Sequence, residues 1–155
     1  MTMIDAYARP ETVPASEPAR LALLLALAVP PDFDDVALAR RVTEGLPVKC
    51  VTAMARILGR SRVVGPIVPE ATLRRVRKAG KPLSREHSGR LYEVSRVIDA
   101  VGRAFHGDSE RIKAFLGRPH PLLDGETPFD LACSSSAGAD AVLNLLQRAE
   151  AGVAL

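Results

Sequence analysis

Tryptophan is absent from this chain, and aromatic residues of every kind make up only 4% of it. With so few large rings, Leu, Ala and Val must supply most of the burial, which suits helices packed on helices better than a β-sandwich. Cysteine is nearly absent too. Cys50 and Cys133 lie far apart with no CxxC or Cys/His spacing, so a reduced cytoplasmic protein is the simplest reading. Long apolar runs are also missing. The one over residues 21–29 is nine residues long, whereas a bilayer needs about 20. A signal peptide is disfavoured as well, although Ala26-Leu27-Ala28 resembles a cleavage site, because Asp5, Glu11 and Glu17 make the preceding region acidic rather than basic. The run reads instead as a buried segment packing against the body or a second subunit, ended by Pro30-Pro31.

The signatures of catalysis are lacking in turn. His87, His106 and His120 have no His or Cys at metal-ligand spacing, so capping or surface roles suit them better. Ser134-Ser135-Ser136 is not a GxSxG elbow and is better placed to cap a final helix. The glycines form neither GxGxxG nor a phosphate loop, and Asp34-Asp35 can be explained by helix capping. No residue pattern calls for an enzyme, a metal or a cofactor.

What is present is a 155-residue, 47% apolar chain, enough for one compact domain or two small helical subdomains. Its net charge of +3 hides a division. Residues 46–106 carry 13 basic and 4 acidic side chains, net +9, between ends that each carry 4 basic and 7 acidic, net −3. A basic middle between acidic ends suggests that the middle meets an anion, nucleic acid being the first candidate, although a solvated face would look the same.

Taken in order, residues 1–20, with Pro10, Pro14 and little periodicity, are expected to be a mobile tail. Asp34-Asp35 can cap a helix running to Gly45, and Pro47 begins another that bears Val48, Val51, Met54, Ala55 and Leu58 and stops at Gly59. Ser61 can cap a very short helix. The next helix, from Glu70, turns Leu73 and Val76 inward and Arg74, Arg75, Arg77 and Lys78 outward, so that residues 21–82 read as a helical region containing helix, turn and basic helix. A long helix follows over residues 83–106, with a stripe at Leu91, Val94, Ile98, Val101 and Phe105. No alternating β pattern appears, and the fold is expected to be all-α.

Residues 105–131 carry the most positional detail. Gly107-Asp108 ends one helix and caps another bearing Ile112, Phe115 and Leu116. The Gly117-to-Pro121 segment breaks it, Asp124-Gly125 turns the chain, and Thr127, Pro128 and Asp130 are placed as cap, first helical residue and capping-box partner of a further helix. The last helix has Ala139, Val142, Leu146 and Ala149 on one side, widened by Leu143 and Leu145, and Gly152 is placed to release an apolar end, Val153-Ala154-Leu155.

This ordered set, Phe105, Phe115-Leu116, Pro119, Pro121-Leu122-Leu123, Gly125, Thr127-Pro128 and Asp130-Leu131, followed by a helix with Gly138 and Val142, resembles the C-terminal toxin-binding domain of Xre/MbcA/ParS-type antitoxins. Phe115 stands where the family usually has Trp, and His120 where it often has Asn. The middle is similar as well, through Gly45-Leu46-Pro47, Thr72 to Arg75, and Leu83-Ser84 with Arg90-Leu91, although it lacks the Gln-rich recognition face of a standard Xre repressor. The resemblance implies an antitoxin, not an enzyme, that neutralises a RES-fold toxin acting on NAD by covering its active site. It implies toxin contacts at Pro119, His120, Asp124, Gly125, Glu126, Gly152, Val153, Ala154 and Leu155 in a domain over residues 107–155. Operator DNA would be met by Thr72, Arg74, Arg75, Arg77 and Lys78 of a divergent helix-turn-helix. A homodimer within a hetero-oligomeric complex is expected, with part of its interface at residues 21–29. The alternative is a stand-alone transcriptional regulator without a toxin.

Overall fold

The computed structural model describes residues 2–152, and these are all-α. Nine α-helices follow in order: α1 (Glu17–Leu24), α2 (Asp35–Glu44), α3 (Lys49–Leu58), α4 (Arg60–Val63), α5 (Glu70–Ala79), α6 (Arg85–Ala104), α7 (Ser109–Gly117), α8 (Pro128–Ser134) and α9 (Ser136–Glu150). Three 3-10 segments, Met3–Ala8, Pro10–Thr12 and Pro121–Leu123, complete the architecture, with no strand among the described residues.

Local chemistry starts most of these helices where the sequence places them. The side chains of Asp34, Ser84, Asp108, Thr127 and Ser135 each accept a backbone N–H three residues ahead, at the starts of α2, α6, α7, α8 and α9, satisfying a donor that the first turn would otherwise leave orphaned. Two starts differ from expectation. The short helix α4 begins after Gly59 rather than under a Ser61 cap. Pro47 lies just before α3, accepting the N–H of Cys50 on its carbonyl at 3.0 Å. At α8 the Thr127 half of the capping box is formed.

The long helix α6 is the axis of the molecule: α1, α2, α8, α9 and the first 3-10 segment all pack on it. Leu91, Val94, Val97, Ile98 and Val101 are buried along it, so the helix is covered on more than the single stripe. Its N-terminal end is stitched to the α2–α3 turn, where buried Leu46 donates its N–H to Ser88 Oγ at 2.8 Å and accepts the Leu83 N–H at 2.9 Å. Gly45 belongs there for two reasons, a φ of +109° and the Leu83 carbonyl 2.5 Å from where a Cβ would stand.

Residues 2–20 are not the mobile tail that the composition of the first 20 residues suggests. Ile4 and Tyr7 are 3% and 2% exposed, and the Tyr7 hydroxyl donates to Asp99 Oδ1 of α6 at 2.6 Å. Arg20, also buried, donates from Nε to the same oxygen at 2.8 Å. A segment poor in local signals is thus held by partners far along the chain. The apolar run over residues 21–29 is largely consumed in the same core: Leu21, Ala22, Leu24, Leu25 and Leu27 are buried. The helix carrying it stops at Leu24, and Ala26 turns the chain with φ of 55°, before Pro30-Pro31 is reached.

Candidate functional site

Between α7 and α8 the chain closes a tight elbow. The His120 N–H donates to the Glu126 carbonyl at 3.0 Å, the His120 carbonyl accepts from Leu123 at 3.0 Å and Gly125 at 3.1 Å, and the Glu126 N–H returns to the Leu123 carbonyl at 3.1 Å. Asp124 and Gly125 both take left-handed backbone, φ 59° and 81°, which a Gly provides freely and an Asp tolerates. His120 caps the 3-10 turn by accepting the Leu122 N–H on Nδ1 at 3.1 Å, which leaves Nε2 as the ring's N–H donor. Seven residues are thereby cross-linked by their own backbone. Of the expected contact residues, Pro119, Asp124, Gly125 and Glu126 face solvent here and His120 is half-buried.

One residue on this elbow escaped the sequence reading. Leu123 is buried and anchors the turn, whereas its neighbour Leu122 is 48% exposed, one of the few large apolar side chains left in water. Two adjacent leucines in a single 3-10 turn cannot share one face, and that was the available signal.

The last helix packs against α8, α6 and the elbow's 3-10 turn. Gly138, Ala139, Val142, Leu145 and Leu146 are buried, while Ala149, expected on the buried side, is exposed. Gly152, exposed and at φ +81°, lies just past the end of α9. The other expected tail contacts, Val153, Ala154 and Leu155, lie outside the described residues.

A second surface is built on α5, which buries only Leu73. Arg74, Arg75, Arg77 and Lys78 are exposed and Thr72 half-buried. Glu70 holds two nearby cations, Arg60 at 3.1 Å and Arg74 at 4.0 Å. Arg77 reaches a cleft of about 320 Å³ that it shares with Arg56 and Arg60 across an apolar floor including Val51, Val64 and Leu73. Arg56 and Arg60 were not singled out from sequence, because they sit on different elements from α5 and only the packing brings the three together. Arg62 of α4 packs toward α8, its guanidinium 5.3 Å from the centre of the buried Phe129 ring.

Elsewhere the polar chemistry is structural. Burial pushes the Cys133 thiol up to about 12 and the Cys50 thiol up to about 11, Asp130 adding to the first shift, so neither is poised as a thiolate near neutral pH. Among the described residues, no three His, Cys, Asp or Glu side chains cluster as a metal site would require. No helix there is long and apolar enough to cross a membrane.

The elbow and α9 are also where comparison with known proteins finds a match. Residues 101–152 fit the family described as antitoxin Xre/MbcA/ParS C-terminal toxin-binding domain. That span begins in the last turn of α6 and ends at Gly152, leaving α5 and all but the last six residues of the basic middle outside it. No curated protein matches the chain. The last third of the chain is therefore similar to the toxin-binding domain of Xre/MbcA/ParS antitoxins.

Proposed function

We propose that this chain neutralises a RES-fold toxin, one that hydrolyses NAD or transfers its ADP-ribose, by seating the elbow and the end of α9 over the toxin's active-site cleft. The observation that carries the reading is the elbow within residues 101–152: a backbone-closed turn that presents Leu122, Asp124, Gly125 and Glu126 outward. A preformed surface loses little conformational entropy on docking. Neutralisation is steric, with the chemistry belonging to the toxin, and no cofactor is held by this chain. Pro119, His120, Gly152 and the residues after it complete the proposed contact. The setting is the cytoplasm, which suits two unpaired cysteines.

Co-expression tests the reading. The RES-domain protein encoded beside this chain is expected to arrest growth when expressed alone, to be tolerated with the full chain, and to copurify with it. Rescue that survives deletion of residues 107–155, or the lack of any such neighbour, defeats the proposal.

The exposed basic helix α5 supports a second activity, repression of the chain's own operon by a homodimer on operator DNA. Arg74, Arg75, Arg77 and Lys78 would contact phosphates, one Arg reading a base edge, with Thr72 beside them. Replacing Arg74, Arg75 and Arg77 together by Ala is expected to weaken operator binding at least about tenfold. It should also flatten the log–log salt dependence by roughly two to three units, three phosphate contacts being lost. Unchanged affinity and slope in a mobility-shift titration would remove α5 from the DNA interface. Repression without any copurifying toxin would favour a stand-alone regulator.

A further inference from the structure

We propose that the cleft between the end of α6 and α7 is a second docking surface for the toxin, shaped for an apolar segment that carries a carboxylate. The proposal rests on the antitoxin reading above and extends its interface beyond the elbow. Its floor is an aromatic pair, Phe105 and Phe115, both half-buried, with ring centres 5.6 Å apart and planes tilted by 52°. The Arg111 guanidinium lies 4.9 Å from the centre of the Phe105 ring. Arg118, Pro119 and His120 close the other side, around a volume of about 400 Å³.

The charge distribution identifies the occupant. Residues 107–155 carry only four Lys or Arg side chains, Arg111, Lys113, Arg118 and Arg148, against seven acidic ones. Three of those four cations are gathered on α7 and its C-cap. Among the described residues, none of the three is held in an ion pair. Asp108, the N-cap of α7, is engaged in capping the helix, its Oδ1 accepting the Arg111 N–H at 3.3 Å. A guanidinium already resting on a ring face has given up part of its freedom and hydration, so pairing it with a carboxylate costs less than ordering a free Arg. His120 adds a donor, since Nδ1 is occupied by the Leu122 N–H and Nε2–H remains. The aromatic floor supplies apolar area for the side chains flanking that carboxylate.

A DNA phosphate is the other anion such a cleft could hold. Exposed Glu110, Asp124 and Glu126 lie on α7 and the elbow, and they would repel a polyanion while leaving a single carboxylate on a mostly apolar segment tolerable. The cleft also runs directly into the elbow through Pro119 and His120, so one partner can cover both.

The test uses the full chain and the RES-domain protein encoded beside it. Arg111→Glu with Arg118→Glu is expected to weaken the complex roughly 30-fold or more, with an unchanged thermal midpoint for the free protein, and the paired Lys variants to recover part of the loss. Hydrogen exchange should show α7 protected in the wild-type complex. Should the Glu variant unfold, Arg111→Gln with Arg118→Gln decides in its place, with a loss of about tenfold expected. Wild-type affinity in these variants, or an unprotected α7, overturns the cleft while leaving the antitoxin reading intact. Weakened operator binding with normal toxin affinity overturns it in favour of DNA. If the wild-type chain forms no complex, both proposals fall.

Discussion

Replacing Asp99 by Ala is expected to destabilise the protein by about 3–5 kcal/mol, the usual cost of leaving one member of a buried ion pair without its partner. The carboxylate is 1% exposed and faces three partners, two of which donate hydrogen bonds to it. Tyr7 donates at 2.6 Å, Arg20 donates from Nε at 2.8 Å and from Nη2 at 3.3 Å, and Arg103 stands 3.7 Å away. Burial first, and then the bond to Asp99, raise the Tyr7 phenol far above its ordinary range, so it stays protonated and remains a donor. Arg20 also ties down the chain before α1, giving Nη1 to the Ala15 carbonyl at 2.7 Å and the Pro14 carbonyl at 3.3 Å. Without the carboxylate, a buried guanidinium and a buried hydroxyl lose their acceptor together, and the packed first segment loses the Tyr7 link to α6. At roughly 2–4 °C per kcal/mol for a chain of this size, the melting midpoint should fall by about 6–20 °C. Limited proteolysis should then cut first within residues 2–16. The double replacement Arg20→Met with Asp99→Leu, which removes both charges, should be considerably milder. A melting midpoint within a degree or two of wild type for Asp99→Ala would mean that the network does not hold the segment.

That network explains why the first 20 residues were misread. Helix caps are written within three residues of where they act, so Asp34, Asp108, Thr127 and a cap within Ser134-Ser135-Ser136 could be placed from sequence alone. The bonds that order the N-terminal segment join residues 92 and 79 positions apart, and Pro10 and Pro14 give no hint of them. Gly107 shows the same division. As the residue just past a helix it reads as a stop signal, yet a Cβ there would also lie 2.7 Å from the Ala8 N and 2.9 Å from the Ile4 carbonyl. Only the docked segment creates that second constraint. The candidate sites divide likewise: Asp124-Gly125 is a local turn and was legible, whereas the Arg56, Arg60 and Arg77 cleft and the Phe105–Phe115 cleft exist only once helices pack. Family resemblance supplied the toxin-binding reading, and no single side chain could have supplied it.

Gly138→Ala should separate the fold of the proposed toxin-binding region from the rest of the molecule. In an exposed helix interior this change ordinarily stabilises by about 0.5–1 kcal/mol, because Gly gives up more backbone freedom than Ala on folding. At Gly138 the sign reverses. A Cβ would stand 2.0 Å from the Leu131 carbonyl oxygen, 3.0 Å from its carbon and 2.8 Å from Ser134 Oγ. The obstacle is backbone of α8, which cannot swing aside as a long side chain would. The start of α9 must move, disturbing the Ser135 cap, whose Oγ accepts the Gly138 N–H at 2.9 Å, and the burial of Ala139 and Val142 behind it. Overpacking of this kind costs about 1–3 kcal/mol and sometimes more. Because α9 carries Gly152 at its far end and packs on the elbow's 3-10 turn, a tilt at its first turn displaces the surface proposed to meet the toxin. Gly138→Ala is therefore expected to lower the melting midpoint by roughly 2–12 °C and to abolish rescue in co-expression. The operator binding proposed for α5 should persist at temperatures where the protein remains folded. Gly89→Ala is the internal control, since Gly89 is likewise helical, within α6, and nothing lies within 4 Å of its would-be Cβ; it should raise the midpoint slightly. Matching shifts of the same sign in both variants would show that helix propensity, and not the α8–α9 contact, governs Gly138.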